Sequence, residues 1–168
     1  MSLFRTLRGT ILAGALVGFG ATLAACSFTP VYSGALAGQG SLDLAFASPN
    51  SRLEQVVYQE LSLRLGRSTS PTAPLATVSV TSGARDMLVT KTTNPAKPVE
   101  VKVTATLTIT ARDGSDLPPQ SYSRSASADY TRIGQVLADN AAATEAAERA
   151  AKSAAESLRL AVLASLTR

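Results

Sequence analysis

A chain of 168 residues with 16 Lys+Arg, 12 Asp+Glu, one Cys and no His has the length of one domain with a modest core, and its basic surplus is too small for a nucleic-acid-binding surface. The missing His removes the Ser-His-Asp and Cys-His arrangements and the commonest transition-metal ligand. There is no Trp, so only Tyr32, Tyr58, Tyr122, Tyr130 and a few Phe are available to stack on a ligand. Carboxylate or Ser-Lys catalysis stays open in principle, but no motif points to it.

The chain opens with the parts of a secretory signal: basic Arg5 and Arg8, an apolar run from Ile11 to about Leu23, and small residues at its end. A helical membrane span needs about 20 apolar residues, and Gly14, Gly18 and Gly20 weaken this segment's helical propensity further. Leu23-Ala24-Ala25-Cys26 is an aliphatic residue, two small ones and the single cysteine, the pattern at which bacterial lipoproteins are acylated and cut. The alternatives for Cys26 are a buried free thiol or half of an intermolecular disulfide. The lipobox predicts a signal peptide over residues 1–25 and a diacylglycerol thioether with an N-acyl chain on Cys26, with no other cofactor. Two or three acyl chains anchor stably, because each buried methylene adds roughly 0.8 kcal/mol. Ser27 is not the Asp that retains enterobacterial lipoproteins in the inner membrane, so delivery to the outer membrane, on its periplasmic side, is the expectation.

Without Arg5 and Arg8 the mature balance falls to 14 basic against 12 acidic side chains, and no disulfide scaffold is available. Residues 26–41, interrupted by Pro30, Gly34 and Gly38, read as a lipidated tether, leaving 42–168 as a single domain. Leu42, Leu44 and Phe46 alternate with Asp43 and Ala45 as a short strand. Ser51 and Glu54 have capping-box spacing, and Leu53, Val56, Val57, Leu61 and Leu65 follow at helical offsets up to Gly66. The apolar stripe suits packing on a sheet; the rival reading is a membrane-surface amphipath.

After the Ser68–Pro74 loop, Val78 and Val80 begin a strand that runs through Leu88 and Val89, with a bulge expected near Gly83. Val99 to Ala111 on odd positions and Glu100 to Arg112 on even positions give the clearest strand, one face apolar and the other polar. A projecting loop containing Asn94, Pro95, Lys97 and Pro98 joins the two. Asp113-Gly114 marks a turn, and Tyr122, Ala126, Ala128 and Tyr130 alternate with polar residues in a fourth strand whose small side chains imply an element packed close above. A long Ala-rich helix runs from about Asp139 to Leu166, with Asp139 or Asn140 as its cap. Its stripe is Ala147, Ala151, Ala154, Leu158, Ala161, Val162 and Leu166, and Glu148 and Lys152 are spaced for an ion pair on the far side. The element order β-α-β-β-β-α is an α+β pattern.

That order behind a lipidated cysteine resembles the lipopolysaccharide-assembly lipoprotein family LptE in its alphaproteobacterial form. The residues that carry the likeness are Cys26-Ser27-Phe28-Thr29-Pro30-Val31-Tyr32, similar to the family's Cys-Gly-Phe-x-Pro-Leu-Tyr opening with Ser27 in place of Gly. The helix with Arg52, Glu54, Leu61 and Leu65 and the Ala-rich C-terminal helix support it. The resemblance implies a mixed four-stranded sheet with two helices on one face and a non-enzymatic role. It also implies a plug in the outer-membrane LptD β-barrel that helps the barrel assemble and binds lipopolysaccharide, with no nucleic-acid partner.

Phosphates and acidic sugars call for Lys and Arg. Arg85, Lys91, Lys97 and Lys102 on the second and third strands and their loop are the expected lipopolysaccharide contact; the competing account is that these bases keep a solvated hairpin soluble. Two other functions compete. An auxiliary lipoprotein subunit of another envelope lipid transporter shares the anchor and a small α/β domain. A periplasmic hydrolase would need Lys102 or Lys152 buried beside a serine.

Overall fold

A computed structural model of the chain describes residues 42–87 and 96–166. The signal at 1–25, Cys26, the tether 26–41 and the loop residues Leu88, Val89, Lys91, Asn94 and Pro95 lie outside the described residues.

The first strand is shorter than its alternation predicts. Asp43 sits at φ 45°, a left-handed conformation that breaks the period of two. The Leu42 N–H therefore turns to the Leu65 carbonyl at 2.8 Å, and the Leu44 carbonyl accepts from Ser68 N–H at 3.0 Å. Only Ala45–Phe46 (β1) pairs in the sheet, while Leu44 is buried against the end of the following helix.

Helix α1, Arg52–Leu65, starts where the capping residues place it. The Ser51 hydroxyl accepts from Glu54 N–H at 3.2 Å, and the Glu54 carboxylate returns to Asn50 N–H at 2.7 Å, satisfying two otherwise unpaired donors. Gly66 at φ 86° ends the helix, a conformation open to glycine without penalty. Val56, Val57, Leu61 and Leu65 are buried as their spacing requires, and full burial of a leucine contributes roughly 1.5–3 kcal/mol. Phe46 meets the edge of Tyr58 with centroids 5.5 Å apart and planes at 84°.

Strands β2 (Leu75–Asp86), β3 (Lys97–Thr110) and β4 (Gln120–Arg132) complete a four-stranded mixed sheet of order β1-β2-β3-β4. β1 runs parallel to β2, and the other neighbours are antiparallel. No bulge forms at Gly83: the register steps residue for residue from Leu75 opposite Thr110 to Asp86 opposite Val99, with Gly83 opposite Lys102. At the far end of the sheet the Asp113 carboxylate accepts from both Ser115 N–H, at 3.0 Å, and the Ser115 hydroxyl, at 2.5 Å, holding the turn at Gly114.

Helix α2, Val136–Leu166, begins three residues before the expected start. Asp139 lies in its first turn, and its carboxylate accepts from Ile133 and Gly134 N–H, both at 2.9 Å, fixing the strand-to-helix corner instead of capping the helix. The buried stripe is also rotated from the expected one. Ala146, Ala150, Ala151, Ala154, Ala155, Leu158 and Val162 are buried, Ala147 and Ala161 are only half-buried, and Leu166 is exposed. Both helices cover the face of the odd β3 residues Val99 to Leu107, with Ala126 and Ala128 of β4 beneath α2. Alanine on both sides of the contact lets backbone approach backbone, and this α+β two-layer arrangement buries one face of the sheet while leaving the other open.

The expected Glu148 to Lys152 pair gives way to contacts between helices. Arg52 Nε lies 2.9 Å from Glu148 and Arg64 Nη2 lies 3.0 Å from Glu156. Arg pairs bind a carboxylate with more directional donors than Lys, which favours the inter-helix partner.

Candidate functional site

The face of the sheet away from the helices is polar from the row of Thr77 to the row of Arg85. The register sets its side chains in rows across β2, β3 and β4. Thr77, Thr108 and Ser121 form one row, Ser79, Thr106 and Ser123 the next, and Thr81, Thr104 and Ser125 the third. These rows make a three-by-three array of hydroxyls, exposed on the outer strands and half-buried on β3. Thr106 Oγ1 donates to Ser123 Oγ at 3.1 Å within it.

Beyond the array the chemistry changes. Gly83, Lys102 and Ser127 form the fourth row, and Arg85, Glu100 and Asp129 the fifth. The missing side chain at Gly83 leaves an open hollow lined by Arg85, Glu100, Lys102 and Ser127. Arg85 Nε donates to the Glu100 carboxylate. That bond, a second from Ser127 and the charges of Arg85 and Lys102 hold the Glu100 carboxyl below the usual carboxylate range, against a smaller opposing effect of desolvation.

Of the four expected cationic contacts, Arg85 and Lys102 are therefore brought together around Glu100 on the open face. Lys97 is separated from them. It opens β3 on the parity of Val99, beside Arg132 of β4 and on the other face of the sheet. Lys91 lies outside the described residues. Sequence reasoning missed the hydroxyl array and Arg132. The alternating Ser and Thr were visible in each strand, but only the register aligns them into rows.

Among the described residues there is no group of three or more His, Cys, Asp or Glu side chains placed to hold a metal ion, and no described helix is long and apolar enough to cross a membrane. Lys102 is exposed on the sheet and Lys152 on α2, so neither is the buried lysine that serine hydrolysis requires.

These features define a class: a two-layer α+β domain with a helix-covered sheet whose open face carries a hydroxyl array ending in a charged row. The chain belongs to the lipopolysaccharide-assembly family LptE, whose model matches residues 40–162. That membership makes it a lipoprotein of lipopolysaccharide assembly and cell-envelope biogenesis. Two solved structures share the fold. Rare lipoprotein B from Shewanella oneidensis is 13% identical with a TM-score of 0.56, over 74% of this chain and 95% of that one. A minor lipoprotein from Acinetobacter baumannii is 18% identical with a TM-score of 0.52, over 73% of this chain and 89% of that one. No curated protein matches the sequence.

Proposed function

We propose that this chain is the outer-membrane lipoprotein that plugs and helps assemble the LptD β-barrel and binds lipopolysaccharide on its way to the cell surface. The family match over residues 40–162 carries the reading. In it, residues 1–25 are removed, Cys26 takes the diacylglycerol and N-acyl chains, residues 26–41 tether the domain on the periplasmic side, and there is no catalytic step. Porin-type barrels have polar interiors, and a domain with an open polar sheet face is suited to sit inside one.

Arg85 and Lys102, with Ser127 beside Lys102 on β4, are the lipopolysaccharide contact on the open face. Both cations lie within reach of one phosphate or acidic sugar, and the neighbouring hydroxyls supply donors for sugar oxygens. Lys91 and Lys97, the other two cations expected from the sequence, are tested separately by charge reversal.

The test is a mild-detergent pull-down of the mature lipoprotein from outer membranes with mass spectrometry of what stays bound. A large β-barrel at near-equal stoichiometry is the expected result. Subunits of an inner-membrane transporter in its place would overturn the barrel reading and make the chain an auxiliary subunit of another lipid transporter.

A further inference from the structure

β4 is the outermost strand of the sheet, and the register shows which of its backbone groups face outward. The Met87 N–H donates to the Pro98 carbonyl at 3.0 Å, so even-numbered β3 residues turn their backbone groups to β2 and odd-numbered ones to β4. The odd β3 residues stand opposite even β4 residues, Val99 opposite Tyr130 and Val101 opposite Ala128. The even β4 residues therefore exchange the ladder bonds, and Ser121, Ser123, Ser125, Ser127, Asp129 and Thr131 direct N–H and C=O away from the sheet. A separate bond agrees with this parity. The same reasoning turns Ala76 of β2 outward, and its carbonyl accepts from Ala47 N–H at 2.9 Å.

Two of the outward carbonyls on β4 are already occupied. Arg124 Nη1 donates to the Ser123 carbonyl at 2.8 Å, and Arg149 Nη2, reaching over from α2, donates to the Asp129 carbonyl at 2.9 Å. A guanidinium on such a carbonyl stands where the N–H of an added strand would bond.

β4 is otherwise self-complementary. A second copy laid antiparallel about a two-fold axis at Ala126 would bring Tyr122 of one copy opposite Tyr130 of the other, Ser125 opposite Ser127 and Arg124 opposite Ala128, so ring meets ring, hydroxyl meets hydroxyl and no like charges face each other. Outside Ser125 and Ser127 the hydrogen-bonded pairs of that register are Ser123 with Asp129 and, at the ends, Ser121 with Thr131, and the two carbonyls of the Ser123–Asp129 pair are the ones the arginines occupy. We propose that Arg124 and Arg149 guard the β4 edge and close it to pairing with β4 of a second copy of this chain. Charged side chains are a general means of blunting an edge strand. Here they cover both carbonyls of the Ser123–Asp129 pair, which interrupts the ladder between its centre and its ends and leaves only Ser125 and Ser127 contiguous between them, too few residues for a ladder.

The experiment compares the full chain in detergent with an Arg124→Ala/Arg149→Ala variant by sedimentation equilibrium and amide hydrogen exchange. The wild type should stay monomeric where the variant shifts to dimer mass, with exchange slowed at Ser125, Ser127 and Asp129. Adding Ser127→Pro should restore the monomer, because that N–H faces outward and its loss removes no bond to β3. The matched Ser82→Pro, on an outward position of β2, should leave the dimer intact. Should Arg149→Ala fail to fold by circular dichroism, Arg149→Gln keeps the stem on α2 while withdrawing the guanidinium. A folded double variant that stays monomeric with unchanged exchange overturns the proposal. So does a dimer that Ser127→Pro leaves in place, or a wild type already paired through β4.

Discussion

Arg132 Nη2 donates to both carboxylate oxygens of Asp86, at 2.8 and 3.0 Å, although β3 lies between the strands that carry them. The pair closes over the end of β3, where Val99 is only 2% exposed. Both partners are about half exposed, with side-chain exposures of 41% and 50%, so the pair is weak in water. Exposed pairs contribute roughly 0.2–1 kcal/mol and are screened by salt. Asp86→Ala and Arg132→Ala should each cost that little in urea unfolding, and a double-mutant cycle should give a coupling that shrinks at high ionic strength. A coupling that is unchanged in molar salt would contradict this account.

The alanine face of α2 should reject bulk. Ala154 and Ala150 are fully buried in the core between the helices and the sheet, and overpacking a filled interface costs about 1–3 kcal/mol. Ala154→Leu should lower the thermal midpoint clearly. The neighbouring Ser153 is exposed, and Ser153→Leu should leave the midpoint nearly unchanged.

The corner between β4 and α2 depends on Gly134 and Asp139. Gly134 has φ 87°, and its N–H reaches the Asp139 carboxylate. Gly134→Ala should cost more than about 1 kcal/mol, because the new Cβ meets no neighbour and the penalty is in the backbone alone. Asp139→Ala leaves two backbone donors without that acceptor and should cost on the order of 1 kcal/mol. Chemical denaturation of the two variants measures both.

The Glu100 carboxyl, held low by Arg85 and Ser127, sets a direction with pH. A carboxylate whose folded pKa is depressed adds stability above its unfolded value and loses it as pH falls through the folded one. Glu100 should therefore support the fold at neutral pH and lose that contribution as pH falls below its ordinary value of 4.5; Asp113, held low by its bonds from Ser115, acts in the same sense. Glu100→Gln should flatten the acid side of the stability profile. It should also leave Arg85 and Lys102 without their counter-charge and tighten binding of lipopolysaccharide, whereas Lys102→Glu should weaken it. Equal binding by all three proteins would remove the charged row from the contact.

Much of the fold was legible because its signals are local. The Ser51 and Glu54 box, the stop at Gly66 and the alternation from Val99 to Ile109 each involve residues a few positions apart. The misses involve distant neighbours. The left-handed Asp43 goes with a bond from Leu42 to Leu65, far along the chain, and the buried stripe on α2 is set by what the sheet and α1 cover. The cationic cluster was half legible: Arg85 and Lys102 meet because their strands pair, while Lys97 falls on the opposite face by a parity that spacing along the loop does not reveal.

The hydroxyl array repeats its chemistry every two residues, a translation of about 6.8 Å along the strands. Shifted by one repeat, a surface lying on it would meet the same short donors and acceptors and no protruding side chain. Lengthwise position is thus degenerate over the array and becomes defined only where Lys102 and Arg85 interrupt the pattern. For a surface lying along the strands, that row is the first feature to fix the lengthwise register.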